Sequence, residues 1–451
     1  MFFFKQVSLD RFVETTESIN DWDFAGADTQ YATHGIHPYP ARMIPQIANR
    51  LINNYSLPYQ TVLDPFCGSG GVLVESRLNS RNSIGVDINP LALFLAKVKT
   101  TPIDPDRLQI VWQKLKQDIT TEIQRNKRPQ LVVFPKELHI ERWFKPRVIS
   151  HLAIIRRIIE EIEDDDIKDF FLATFSATVR FTSNNRPNEY KVYRLSEEEL
   201  KKHNPDVLKK FIEHTEKCIE GMKDFYKQCD MKTSVELKLA DTRNLPLQNE
   251  SVDLIVTSPP YGDSHTTVGY GQFSKYLLIW LSFDGYKIKR LQRFDWEMAR
   301  KIDFELGLGG NAFGEVTKEI LEITNESETL YNLVKEIDKT ERELKAKHSR
   351  IPALVRYFYD LRLCLFQMYR VLRNDGHSCI VIGNRSVRGI RIATDKIVTE
   401  LAKGVGFKTE KIIFRNIPSK RHPIRQRWML AGRPQTWIDN ILRESIIILK
   451  K

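Results

Sequence analysis

Four short apolar runs, far apart in the chain, each stop at a polar turn, and helical segments lie between them. Thr61-Val62-Leu63 stops at Asp64 and enters Pro65-Phe66-Cys67-Gly68-Ser69-Gly70-Gly71, after which the pattern predicts a helix from Gly71 to Leu78. Ser83 to Val86 stops at Asp87, followed by a helix from Leu91 to Lys99. Glu236 to Leu239 stops before Ala240-Asp241-Thr242, and Val252 to Val256 runs into Thr257-Ser258-Pro259-Pro260-Tyr261-Gly262-Asp263. Further strands are expected at Ser378–Ile382, Glu410–Phe414 and Ser445–Leu449, with helices near Ala353–Leu372 and Thr394–Lys403. Strands alternating with helices predict an α/β fold, a mostly parallel sheet with helices on both faces. Such sheets bind ligands at the carboxyl ends of their strands, where the polar turns fall.

Two stretches break the alternation and read as insertions into one αβ core. Residues 102–234 are expected to be largely helical, and their acidic run (Glu160, Glu161, Glu163, Asp164, Asp165, Asp166) reads as a solvated helix face or turn. Residues 263–350 mix Gly307–Gly310 loops with a charged helix from Thr329 to Lys347. The core would then comprise 1–101, 235–262 and 351–451.

Composition excludes several function classes. The chain is 41% hydrophobic and 28% charged, which suits a large buried core rather than disorder. No apolar run reaches the ~18–20 residues needed to cross a bilayer, and the start lacks the basic region and cleavage site of a signal peptide. Five scattered cysteines without C-x-x-C spacing argue against a disulfide framework or structural zinc, so a cytoplasmic location is expected. The net charge is +11, and from Asn384 to Arg443 fourteen Lys/Arg face four Asp/Glu. That concentration is the footprint expected for a polyanion, although a solvated basic face reads equally well.

Each motif has a chemical and a plain reading. Glycines after Asp64 let backbone approach a ligand, and the following helix start favours an anion; a tight turn alone would also explain them. The spacing matches neither a Walker A loop nor G-x-G-x-x-G. Asp87, about twenty residues on, is placed to accept ribose hydroxyls, whereas Asn89 and Pro90 look like a helix cap and first residue. Asp241, or the backbone beside it, could read the amino edge of an adenine. After Val256, two prolines keep Ser258 out of helical geometry, so the Ser258 and Pro259 carbonyls can accept from an amine. Tyr261 offers a face for stacking a base. Cys67 reads as a packing residue, and His34 and His37 lack partners at metal-ligand spacing.

Asp64-Pro65-Phe66-Cys67-Gly68-Ser69-Gly70 resembles the AdoMet motif of class I (Rossmann-like) methyltransferases, whose sheet has seven strands. Thr257-Ser258-Pro259-Pro260-Tyr261 resembles the catalytic motif of DNA methyltransferases that modify exocyclic amines, the cytosine-N4 and adenine-N6 type. His34-Gly35-Ile36-His37-Pro38-Tyr39-Pro40-Ala41-Arg42-Met43, the segments Tyr261–Ser264 and Tyr270–Ser274, and Ile417–Arg421 are similar to elements of the cytosine-N4 group. The resemblance implies AdoMet held by His37, Pro38, Asp64, Pro65, Phe66, Gly68, Gly70, Asp87, Ile88, Asp241 and Thr242. It implies catalysis at Ser258, Pro259, Pro260 and Tyr261 on a base flipped from duplex DNA. Ser in place of Asp or Asn before Pro-Pro-Tyr favours cytosine N4; adenine N6 stays open. So do an RNA guanine-amine methyltransferase and a nucleic-acid scaffold without activity. The resemblance also implies a cognate restriction endonuclease acting on the same site, and DNA binding would associate the chain with the nucleoid.

Sequence readers are expected in one of the insertions: Lys287, Lys289, Arg290, Gln292, Arg293 and Arg300, with 263–350 the candidate recognition region, or Arg180, Asn184, Asn185, Arg186 and Lys191. Arg415, Lys420, Arg421, Arg425 and Arg427 are expected on phosphates, with Trp428 beside them.

Overall fold

The computed structural model describes residues 19–125, 139–186, 192–262, 268–281, 301–310, 316–417, 425–430, 433–439 and 443–451; for 19, 20, 304, 319, 425–430 and 433–439 it describes backbone alone. The main sheet has seven strands: β1 (Thr61–Asp64), β2 (Asn82–Asp87), β3 (Val235–Leu239), β4 (Val252–Thr257), β5 (Leu372–Gly383), β6 (Lys408–Asn416) and β7 (Arg443–Lys450). They lie in the order β3-β2-β1-β4-β5-β7-β6. β1 to β5 pair in parallel, and β7 runs antiparallel between β5 and β6. This is the mostly parallel, seven-stranded sheet that the resemblance leads one to expect.

Strand alternation builds a core on each face. Val62, Leu254 and Val256 point to one side, against Ile47 and Leu51 of α1 (Pro45–Tyr55). Leu63 and Ile255 point to the other, in one apolar cluster with Leu361 of α10 (Ile351–Val371) and Leu401 of α11 (Thr394–Val405). Between those faces the register sets Asp64 beside Gly85 and Asp87 beside Leu239. The carboxyl ends of β1, β2 and β3, and so their polar turns, therefore share one sheet edge. β5 extends well before Ser378, where its pairing to β4 shifts register between Val252 and Leu254.

From 102 to 234 the main described elements are helices: α4 (Pro105–Arg125), α5 (Pro146–Glu160), α6 (Asp165–Thr182) and α7 (Val207–Gln228). With α2 (Gly71–Leu78), α3 (Pro90–Thr100) and α8 (Tyr270–Leu281) they enclose a separate apolar cluster, in which Trp112 stacks on Phe171 at 5.8 Å. The acidic run has a local purpose. Asp164 caps α6, accepting from the Asp166 and Ile167 amides, and the carboxylates after it favour the helix dipole. α9 (Glu328–Glu343) covers the charged stretch of the second insertion. No described helix is long and apolar enough to cross a membrane.

Candidate active site

The turn after β1 is shaped by two left-handed glycines, Gly68 at φ +49° and Gly70 at φ +82°. They act differently. A Cβ on Gly70 would sit 2.8 Å from Cβ of Ala96, so Gly70 lets α2 pack on α3 and does not line the cleft. Gly68 faces the Tyr39 ring, where a Cβ would come to 3.3 Å, and its amide donates to Asp87 Oδ2 at 2.9 Å. The first and second motifs are thereby tied together. Asp87 Oδ1 accepts from the Asn89 amide at 2.8 Å, while Asn89 caps α3 through Leu91 N, with Pro90 as first helical residue.

Asp64 is buried, accepting from the Phe66 amide at 3.1 Å and the Thr257 hydroxyl at 2.7 Å. Burial pushes its carboxyl up to about 7. Asp87 is pushed up to about 6 by the same cause, against the opposing pull of its backbone donors. The two acids line one open cleft, together with the turns after β1, β2, β3 and β4.

The cleft gathers residues from every expected motif: Asp64, Pro65, Phe66, Gly68, Asp87, Ile88, Asp241, Thr242, Ser258 and Pro260. The Thr242 hydroxyl bonds the Pro65 carbonyl, joining the third turn to the first. Gly68 keeps side chains out of the floor, Asp87 retains acceptor capacity, and Phe66 and Ile88 give apolar surface for a purine ring. These residues fit AdoMet.

Several expectations need correction. His37 and Pro38 do not line the cleft; Tyr39 to Met43, the continuation of their segment, does. His37 is fully buried, donating from Nδ1 to the Pro38 carbonyl at 2.6 Å and meeting Ser176 Oγ through Nε2 at 3.2 Å. Burial drives its pKa well below 6.5, so it braces the segment as a neutral ring. The Asp241 carboxylate is engaged by Arg243, through its amide and guanidinium at 2.6–3.0 Å, and so is not held open for an adenine amine. Arg415 is no phosphate contact: it is 3% exposed, pairs with Glu444, and donates to the carbonyls of Trp22 and Asp23.

In the catalytic motif, Ser258 and Pro260 reach the cleft, whereas Tyr261 borders a small crevice with Tyr357, Phe358 and Arg385. Pro259 lines neither. The Tyr261 hydroxyl donates to Glu444 Oε1 at 3.0 Å and lies 3.3 Å from Ser258 Oγ. The Tyr357 hydroxyl donates to the Pro260 carbonyl at 2.7 Å. A Cβ on Gly262 would come to 1.9 Å from the Arg385 guanidinium, so a side chain there would displace Arg385.

Sequence reasoning missed one wall. Ile302, Leu306, Gly307 and Leu308, around a single π-turn from Ile302 to Leu306, line the cleft together with Tyr270. Asp303 caps α8 through the Gly271 and Gln272 amides at 2.8 and 2.9 Å. At the other end, Arg243 donates to the Leu306 carbonyl, and Asp360 accepts from the Gly309 amide and pairs with Arg243 at 3.1 Å. The Gly307–Gly310 cluster was the only local signal. Lys99 was missed too: it is buried, donates to Ser69 Oγ at 3.0 Å, and burial holds its ammonium well below 10.5. Lys191, Lys287, Lys289, Arg290, Gln292, Arg293, Arg300, Lys420 and Arg421 lie outside the described residues, and Arg425, Arg427 and Trp428 are described in backbone only.

Comparison with known proteins agrees with this geometry. Residues 13–97 match the family described as DNA methylase, and residues 173–272 match an RMKL-like methyltransferase domain. The chain is 34% identical to Type II methyltransferase M.MvaI of Kocuria varians, over 89% of this chain and 87% of that one. It is 23% identical to Type II methyltransferase M.BsoBI of Geobacillus stearothermophilus, over 89% and 84%. Type II methyltransferase M.MjaII of Methanocaldococcus jannaschii matches at 31% over 24% of this chain and 22% of that one. With a cleft lined by the glycine turn, Asp87 and the Ser-Pro-Pro-Tyr turn, and a relative this similar along most of its length, the chain belongs to the AdoMet-dependent DNA amino-methyltransferase family, as a Type II enzyme.

Proposed function

We propose that the enzyme methylates the exocyclic N4 amine of a cytosine flipped out of duplex DNA, as the modification half of a cytoplasmic restriction–modification pair. The observation that carries this reading is Ser258, the residue before Pro-Pro-Tyr, at the edge of the cofactor cleft. AdoMet, when bound, supplies an electrophilic methyl group on a sulfonium.

The chain's own groups do the positioning, from which such displacements gain most of their advantage. Asp87 accepts the ribose hydroxyls, and Phe66 and Ile88 flank the purine. The carbonyls of Ser258 and Pro259 accept both amine hydrogens, drawing the nitrogen toward a tetrahedral, more nucleophilic shape. Tyr261 presents its ring to the base from the small crevice, offsetting part of the few kcal/mol that unstacking costs. Pro259 and Pro260 stiffen the turn so that those carbonyls stay aimed.

The test is transfer from radiolabelled AdoMet to duplex DNA or tRNA, followed by nucleoside identification. N4-methylcytosine is expected. N6-methyladenine would replace the target base, and label confined to RNA would overturn the reading.

A further inference from the structure

The helical insertion carries a second cavity, away from the methyl-transfer site. It is an open groove of about 900 Å³, mouth included, between the end of α6 (Arg180, Phe181) with the residues just after it (Asn185, Arg186) and the start of α7 (Lys210, Glu213, His214). Its chemistry is unusual for an idle surface. Among the described residues that line it, three cations accompany one carboxylate; Arg186 also faces the exposed Glu199, and Glu213 stands 3.9 Å from the ammoniums of Lys209 and Lys210, too far for a strong pair. Phe181 is 41% exposed, its ring edge-on to His214 at 5.2 Å. Asn185 Oδ1 is buried without a hydrogen-bond partner among the described residues, which costs free energy until a donor arrives. His214 meets the Ile36 carbonyl through Nε2 at 2.8 Å, and burial lowers its pKa, so it adds no charge.

Position gives these groups a meaning. The Arg180 guanidinium lies 4.6 Å over the Phe273 ring, and Phe273 meets Tyr39, a wall of the cofactor cleft, at 5.7 Å. Phe273 belongs to α8, which resumes the chain shortly after the Ser-Pro-Pro-Tyr turn. The groove thus stands one aromatic layer from the cleft, beside the helix that follows the catalytic loop.

We infer that this groove holds the sugar-phosphate backbone of the duplex next to the target base, with Arg186 and Lys210 each meeting a phosphate and Phe181 and Asn185 facing the adjoining nucleotide. The inference rests on DNA being the substrate, and it assigns to the first insertion a contact that the buried Arg415 does not make.

Phosphate contacts are independent of sequence and release counterions, so a mixed-sequence duplex is a sufficient probe. Full-length protein, wild type and the Arg186→Ala/Lys210→Ala double variant, would be titrated by fluorescence anisotropy over a range of salt. The double variant should bind roughly tenfold more weakly at low salt, with the log–log salt slope smaller by about 1.8, near 0.9 per phosphate. AdoMet affinity by equilibrium dialysis should not move. Glu213→Gln should act in the opposite direction and tighten DNA binding, which a role in folding alone would not produce. Wild-type affinity and slope in the double variant would overturn the groove while leaving methyl transfer to DNA standing. So would a parallel loss of AdoMet binding. Wild-type protein that bound no duplex would overturn the groove and the substrate together.

Discussion

The cofactor turns and the catalytic turn are held in different ways. After β1, β2 and β3, each carboxylate accepts from a neighbour in its own turn, Asp64 from the Phe66 amide, Asp87 from the Asn89 amide and Asp241 from Arg243, and the turns are then tied to one another through Gly68–Asp87 and Thr242–Pro65. After β4 the support is long-range. Thr257 reaches back to Asp64, Tyr357 comes from α10, and Glu444 comes from β7, which also buries Arg415. A turn whose carboxylate accepts within a few residues carries most of its determinants in its own sequence, and its other ties run to the adjoining turns and α10. A turn held from the far end of the chain exists only once the whole sheet is assembled, so damage at β7 should reach catalysis without touching a cofactor residue.

Glu444→Ala is the harshest way to break that contrast. It strands the Arg415 guanidinium, 3% exposed, without its carboxylate. Removing one partner of a buried pair costs roughly 3–5 kcal/mol, and urea denaturation should show a loss of that order. Turnover should fall beyond it, because Tyr261 loses its acceptor. Undiminished stability would mean that Arg415 finds water or another partner and that the long-range brace is weak.

Tyr261 itself separates the two regions in activity. Tyr261→Ala should lower kcat by about a hundredfold, near 2.7 kcal/mol, while AdoMet affinity by equilibrium dialysis stays near wild type. Tyr261→Phe keeps the ring and removes the hydroxyl's bonds to Glu444 and Ser258, so a smaller loss than in Tyr261→Ala is expected, about tenfold. A collapse of cofactor affinity in either variant would merge the two regions.

Asp87→Ala tests the cofactor side. Loss of hydrogen bonds to a charged acceptor costs about 1.5–3 kcal/mol, so AdoMet affinity should fall roughly ten- to a hundredfold, with the fold intact. The pH dependence has a definite sign. With the carboxyl pushed up to about 6, the ionised acceptor dominates above that pH, and affinity should decline by up to about tenfold per unit as pH falls below it. Folding stability without cofactor should move the other way. The folded pKa values of Asp87 and Asp64 exceed their ordinary 3.8, so the native state binds more protons between about 4 and 6 or 7, and stability drops as pH rises through that window. Isothermal titration and urea melts across pH would show the two trends; Asp87→Asn should flatten the first.

The same contrast explains what the sequence could reveal. The strand-turn-helix units around Gly68 and Asp87 were legible because their determinants are adjacent: an apolar run, a carboxylate, left-handed glycines, an Asn-Pro cap. α2 starts and ends at the expected residues, Gly71 and Leu78. Arg415 was misread because a basic cluster does not reveal which cation lies under a strand, and β6 pairs Arg415 directly with Glu444 on β7. His37 and Pro38 were read as the lining just ahead of Tyr39–Met43, the five residues of their segment that form the wall. Asp303, Asp360 and Glu444 are single acids in unpatterned surroundings, and only tertiary packing gives them work.

The mildest test concerns the wall that periodicity did not reveal. Asp360 accepts from the Gly309 amide and pairs with Arg243, which itself holds Asp241 and the Leu306 carbonyl. It touches no expected cofactor atom, yet it fixes both the 302–310 wall and the turn after β3. Asp360→Asn keeps an acceptor for Gly309 but removes the charge that Arg243 faces, so the wall should loosen rather than unfold. A network contribution of about 0.5–1.5 kcal/mol predicts a few-fold rise in the AdoMet Kd. kcat at saturating cofactor should stay close to wild type, because the catalytic turn is braced by Tyr357 and Glu444 instead. If kcat fell while Kd held, the 302–310 wall would belong with the catalytic turn and its long-range supports, and the boundary between the two regions would lie on the cofactor side of Leu306.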